Sequence, residues 1–173
     1  MNTRRILISV LTASALALPA NPTSVLAGSA TANLTVQASV AARCLVTTTT
    51  TVDFGNSYDP ASATPTDNNG AVTIRCTRGT VATIDLGTGS NFSGGSRRMA
   101  SQTVLPTEFL TYGLFTNSPG GTPWGSGIAG GTTVGYTAPN ASPTSFTVFG
   151  RLNASQDVSV DSYQDTVVVT ATF

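Results

Sequence analysis

Over residues 32–40, apolar and polar side chains alternate without a break: Ala32, Leu34, Val36, Ala38 and Val40 against Asn33, Thr35, Gln37 and Ser39. The same rhythm closes the chain, with Val167, Val169, Ala171 and Phe173 set against Thr166, Val168, Thr170 and Thr172. A period of two is the mark of a β-strand with one covered face. Between these stretches, shorter runs predict strands over 45–54, 71–76, 81–86, 109–116, 132–137 and 145–152. Turn-forming segments separate them: 56–69 carries two Pro with several Asp and Asn, 88–96 is rich in Gly and Ser, 117–131 is dense in Gly and Pro, and 138–143 is a short turn. From 28 to 173, no window of a dozen residues carries an apolar stripe at three-and-four spacing free of Gly or Pro, and no internal repeat is visible. Short strands at this spacing predict an all-β protein, an antiparallel β-sandwich.

The first residues change the picture by setting the compartment. Arg4 and Arg5 precede an apolar run over 6–18, and Val25-Leu26-Ala27 offers small or modest residues where signal peptidase reads. This layout is expected of a secretory signal peptide over 1–27, with cleavage after Ala27 preferred to Ala20 or Ala30. A run of about 13 apolar residues is too short for a hydrocarbon core of about 30 Å. Residues 28–173 then form one domain of 173 − 27 = 146 residues. No second long apolar run occurs in it, so it is not expected to span a membrane.

Composition narrows the partners. Charged residues make up only 9% of the chain, against about 25% in an average globular domain. After loss of Arg4 and Arg5, six Arg face eight acids, a net charge of 6 − 8 = −2, with no Lys and no His. No stretch is basic enough to follow a phosphate backbone, so nucleic acid is not an expected partner. Cys44 and Cys76 are the only cysteines, and in an oxidising compartment they are expected to form a disulfide.

Candidate chemistry is sparse. Without His, no Ser/His/Asp or Cys/His arrangement exists, and there is no Gly-x-Ser-x-Gly elbow. Asp53, Asp59, Asp67 and Asp85 suit turns better than a calcium or acid–base site, since no Asp-x-Asp-x-Asp-Gly loop occurs and Glu108 is the single Glu. No catalytic, metal or cofactor-binding residue is expected. Arg97 and Arg98, beside a Gly/Ser loop, read as solvated surface before an anion or partner contact. Trp124, the lone tryptophan, reads as a core plug before a sugar-stacking platform. Asn33, Asn91, Asn140 and Asn153 open Asn-x-Ser/Thr triplets, which matter only in a eukaryotic secretory host.

Taken together, a series of short motifs resembles the spore coat protein U family, which includes pilins of archaic chaperone–usher fimbriae. They are the alternating start running into Arg43-Cys44, then Phe54-Gly55, Cys76-Thr77-Arg78-Gly79-Thr80 and Arg97-Arg98-Met99. Leu110-Thr111-Tyr112-Gly113-Leu114-Phe115, Trp124-Gly125, Thr147-Val148-Phe149-Gly150-Arg151 and Ser162-Tyr163-Gln164-Asp165-Thr166 follow. Each motif is weak alone; their order and spacing are specific. One departure is Asp161, where such proteins usually carry Gly two residues before the Tyr, so another route is needed for a tight turn there.

The resemblance implies an immunoglobulin-like sandwich, incomplete for want of its final strand. A periplasmic chaperone lends a strand to the open groove, and at an outer-membrane usher the N-terminal segment of the next identical or related subunit replaces it. On this reading residues 28–41 are the donor strand, with Ala32, Leu34, Val36, Ala38 and Val40 as the inserted face. Tyr163, Val167, Val169, Ala171 and Phe173 would line the groove or meet the chaperone. The competing reading makes 28–41 simply the first strand of its own domain.

The expected function is that of a structural subunit of a secreted surface fimbria, reached through the periplasm and polymerised by donor-strand exchange in support of adhesion or biofilm formation. A spore or cyst coat protein of the same fold is the first alternative, and a secreted carbohydrate-binding module or tip adhesin the second.

Overall fold

The computed structural model describes residues 27–173, so the signal-peptide reading of 1–27 falls almost wholly outside it. Two compact units are distinguished, one ending at Ala38 and the other spanning Ser39–Phe173.

The strands are β1 Cys44–Thr50, β2 Thr66–Cys76, β3 Val81–Leu86, β4 Arg97–Ser101, β5 Phe109–Phe115, β6 Val134–Thr137, β7 Thr144–Leu152, β8 Tyr163–Gln164 and β9 Val169–Thr172. They form a six-stranded sheet in the order β1-β2-β7-β5-β4-β8 and a three-stranded sheet in the order β6-β3-β9, antiparallel throughout. Alternation decides the core. Val72, Ile74 and Cys76 of β2, Leu110, Tyr112 and Leu114 of β5, and Val148 and Leu152 of β7 are buried from the larger sheet. Ala82, Ile84 and Leu86 of β3 meet them from the smaller one, and all belong to a single apolar cluster. Side chains that project from two facing sheets and share one core make a β-sandwich.

The element boundaries show where periodicity was a good guide and where packing overrode it. Val81–Leu86 is the strand expected over 81–86. The run over 45–54 ends as a strand at Thr50, because Val52 and Phe54 leave the ladder and turn in over Gly150, where any Cβ would collide with Val52. β2 starts at Thr66, inside the expected turn region, because Asp67 pairs in register with Arg151 of β7 and also binds its guanidinium through two bonds of 2.7 and 2.8 Å. β4 was not expected at all. The closing alternation forms a strand only over Val169–Thr172, as β9 beside β3 in the smaller sheet, and the short β8 just before it joins the larger sheet beside β4.

Cys44 and Cys76 lie directly opposite each other in the β1–β2 register and form the expected disulfide, with Cα atoms 4.1 Å apart. The bond ties the first strand to the second across a loop of about 33 residues, a constraint that stabilises by about 3–4 kcal/mol on the chain-entropy model. Trp124 is buried in the core and donates its indole N–H to the Ile84 carbonyl at 3.1 Å, as the plug reading expected.

Candidate functional site

β1 is hydrogen-bonded to β2 only, and β9 to β3 only, so each strand leaves one main-chain edge unpaired among the described residues. Some Cα atoms of the two strands approach within 8 Å, yet no ladder joins them. An unpaired strand edge presents a row of N–H and C=O groups that pairs readily with another chain. β1 is also poorly covered for a strand. Past Cys44, every residue from Leu45 to Thr50 is exposed, Val46 at 39%.

The terminal segment is held firmly on its other side. Val169 stands opposite Leu86 and Ala171 opposite Ile84, so their side chains share the core face of the smaller sheet. Val167 and Val169 pack against the core cluster, whereas Phe173 is 57% exposed. Upstream, the Asp165 carboxylate accepts bonds from the Ser90 N–H at 2.9 Å, the Asn91 N–H and amide, and the Tyr112 hydroxyl at 2.7 Å. Burial first, and that bond second, push the Tyr112 phenol well above its ordinary range. The Gly87 N–H donates to the Val168 carbonyl and the Ser90 N–H to that of Thr166, which carries the chain from one sheet to the other.

Of the expected groove residues, Val167, Val169, Ala171 and Phe173 therefore lie together on or beside β9. Tyr163 stands apart on β8, at the edge of the larger sheet opposite to β1. Its hydroxyl donates to the Ser159 carbonyl at 2.8 Å and lies 3.3 Å from Glu108.

Residues 27–43 enter no strand, and all of them are exposed. Leu34, Val36 and Val40 are 88%, 85% and 84% exposed. Taken by itself, this stretch is an uncovered row of apolar side chains at strand spacing.

Two other expectations are corrected or resolved. Arg97 is not solvated surface: it is a residue of β4, 2% exposed, whose Nε and Nη2 donate to the carbonyls of Leu86, Gly87 and Trp124 at 2.6–2.9 Å. It links the larger sheet to the end of β3 and to the Trp124 loop. Burial lowers its pKa. Arg98 lies over the Phe109 ring at 4.0 Å. A sequence signal existed, since Arg97 sits two residues before Met99 and four before Ser101 in an alternating run, but the adjacent Gly/Ser loop masked it. Asp161, in the place of the usual Gly, has no positive φ. Its carboxylate accepts the N–H groups of Thr103, Val104 and Ser162 and the Thr103 hydroxyl at 2.7–2.9 Å, which holds its pKa far below the carboxylate range, the Thr103 N–H being the largest cause. A side-chain tie thus fixes the turn into β8.

Among the described residues no three His, Cys, Asp or Glu come together as metal ligands. Asp53 and Asp59 accept from the N–H groups of Gly55 and Ala61, Asp85 accepts from that of Ser126, and Asp67 is paired with Arg151.

Comparison with known proteins accords with this architecture. Residues 30–170 match the Spore Coat Protein U domain model. Protein U of Myxococcus xanthus is 32% identical over 187 residues, with all of both chains covered. A chain of the CsuC–CsuE chaperone–tip adhesion subunit pre-assembly complex, from the archaic chaperone–usher Csu pili of Acinetobacter baumannii, shares the fold at a TM-score of 0.52 and 23% identity. That match covers 78% of this chain and 40% of the solved one. The chain belongs to the Spore Coat Protein U domain family.

Proposed function

We propose that the protein is a structural subunit of a surface fimbria, polymerised when residues 28–41 of one copy enter the gap between β1 and β9 of the next. The observation that carries this reading is a pair of unmatched halves. One is a fully exposed apolar row at strand spacing; the other is two strand edges without a partner. A strand placed in the gap gains main-chain bonds on both sides and covers its alternate side chains. Burying Leu34, Val36 and Val40 would contribute about 5–9 kcal/mol at roughly 1.5–3 each, with smaller additions from Ala32 and Ala38. A chaperone in the periplasm fills the gap before assembly, an outer-membrane usher catalyses the replacement, and the fibre serves adhesion or biofilm formation. The chaperone–subunit nature of the Csu complex supports the first of these partners. The role is architectural, with no reaction to catalyse.

Deletion of residues 28–41 tests the reading. The shortened domain is expected to bind the chaperone and to stay out of polymers; normal polymerisation of the deletion variant overturns the donor assignment.

A coat protein of spores or cysts is the second reading, favoured by the full-length similarity to Protein U. It uses the same strand addition. Recovery of a stoichiometric chaperone from a periplasmic extract, with an usher encoded nearby, selects the fimbria.

A further inference from the structure

The six arginines of residues 28–173 divide in their use. Arg97 is buried on carbonyls, Arg98 lies over Phe109, and Arg151 is paired with Asp67. The other three, Arg43, Arg75 and Arg78, are exposed and form no ion pair among the described residues. They stand together at one end of the sandwich. The Arg43 carbonyl accepts the Thr77 N–H at 2.8 Å, Arg75 is opposite Leu45 one step along the same strand pair, and Arg78 is in the turn from β2 to β3. The Phe173 carboxylate, beside the start of β3, subtracts one charge there without changing the sign. Uncovered apolar side chains lie among these cations: Leu45, Val81 and Phe173 are 48%, 68% and 57% exposed.

The other end of the larger sheet, where Thr66 is opposite Leu152, has the reverse character. Here the loops over 51–65, 102–108 and 153–162 are tied together. Ser155 donates its N–H to the Ser62 carbonyl, Ser159 donates its N–H to Glu108, and Asp161 holds Thr103 and Val104. These loops carry five acids, Asp53, Asp59, Glu108, Asp157 and Asp161, and no arginine. They too hold apolar side chains in water: next to the Asp161 tie, Leu105 is 86% exposed and Val160 is fully exposed.

Strand exchange would bring the two ends together. β9 runs from Val169, opposite Leu86, to Thr172, opposite Thr83, and so toward the arginine end, where β3 begins. A donor laid antiparallel to β9, the pattern of every pair in this fold, therefore leaves the gap at the acidic end of the receiving copy. Only residues 41–43 then separate the donor row from Cys44 of its own domain, a reach of about 10 Å. So short a tether holds the arginine end of one copy against the acidic end of the next, and even a weak contact between them is populated.

We propose that these ends form a second interface between successive copies of this chain, a joint in which Arg43, Arg75 and Arg78 face the acidic loops around exposed apolar centres. The joint rests on the strand-exchange reading and adds to it a charge pattern that steers the approach and opposes head-to-head encounters. Leu45 and Val81 at one end and Leu105 and Val160 at the other supply the apolar part that a polar rim surrounds in protein interfaces.

The test follows polymer growth of the secreted chain by light scattering, with a synthetic peptide of residues 28–41 titrated into each protein in parallel. That segment carries no charged side chain, so its insertion reports the gap alone, and any dependence of full-chain assembly on charge or salt reports the ends. Arg43→Glu with Arg78→Glu is expected to slow assembly at least about tenfold at low salt, and so is Asp59→Arg with Asp157→Arg. An equal mixture of the two double variants should recover to within about threefold of the parent rate. Raising salt to about 0.5 M should slow the parent and narrow these differences. All forms should bind the peptide equally and melt alike; Arg78→Glu alone and Asp157→Arg alone replace a double variant that melts early. Failure of the peptide to bind the parent would overturn strand exchange and the joint with it. Normal peptide binding with variants that assemble as fast as the parent, a mixture that stays slow, or a parent indifferent to salt would overturn the joint alone.

Discussion

The two segments with the clearest alternation, 32–40 and 166–173, look alike as sequences and meet different fates. In the first, Leu34, Val36 and Val40 are uncovered, and no ladder forms. In the second, Val169 and Ala171 lie against Leu86 and Ile84, and the chain is bonded from Ser162 to Thr172 along one side. Alternation therefore states which face of a strand wants cover, and says nothing about where the cover comes from. The C-terminal segment is paired along one side, while residues 32–40 enter no ladder among the described residues.

The sharpest way to break this contrast is to place the same charge in both segments. Val169→Asp would put a carboxylate on the core face without a partner, at a cost of several kcal/mol, and thermal melting should show the domain largely unfolded. Leu34→Asp with Val36→Asp should leave the melting temperature of the monomer unchanged, within about 0.5 kcal/mol of stability, because both sites are already in water. The same double variant should fail to polymerise in a sedimentation assay. A destabilised monomer would show that the N-terminal row packs on its own domain after all.

Removing the staple between β1 and β2 asks how far the open edge relies on the disulfide. Cys44→Ser with Cys76→Ser is expected to cost about 3–4 kcal/mol by urea denaturation. The change should weaken strand addition more than it weakens β9, because β1 is paired on one side only.

Asp161 gives a smaller effect with a defined sign. Its folded-state pKa is depressed, first by the Thr103 N–H, so the stability it contributes is present above the unfolded value of about 3.9 and is lost as pH falls through the folded value. Asp161→Asn should therefore flatten the acid limb of the stability profile below about pH 4, with little change near neutrality. An unchanged acid limb would remove Asp161 as the tie that sets the entry to β8. Smallest of all is the Asp67–Arg151 pair, which is about one-third exposed on both sides. Asp67→Asn should cost no more than about 1 kcal/mol.

Much of the fold was legible because strands with one buried face announce themselves. Ala82, Ile84 and Leu86 fall as the period of two requires, and the cysteines meet as their compartment suggested. β4 was not legible, because its inward residue Arg97 satisfies its donors on carbonyls from three residues distant in sequence. Nor was the early end of β1, which depends on Val52 finding room over Gly150. Of the residues proposed to line the groove, the core-facing placement of Val167, Val169 and Ala171 was readable from alternation. The remoteness of Tyr163 was not, because the chain passes from the larger sheet at β8 to the smaller sheet at β9 over a link where Asp165 is held by Ser90 and Asn91.

The most direct test of the central claim is amide hydrogen exchange on the isolated subunit and on the assembled fibre. Residues 32–40 should exchange freely in the isolated subunit, while 169–172 show slow exchange only at the amides that face β3. In the fibre both segments should become slow throughout. Protection of 32–40 in the isolated subunit, or its continued free exchange in the fibre, would contradict the account.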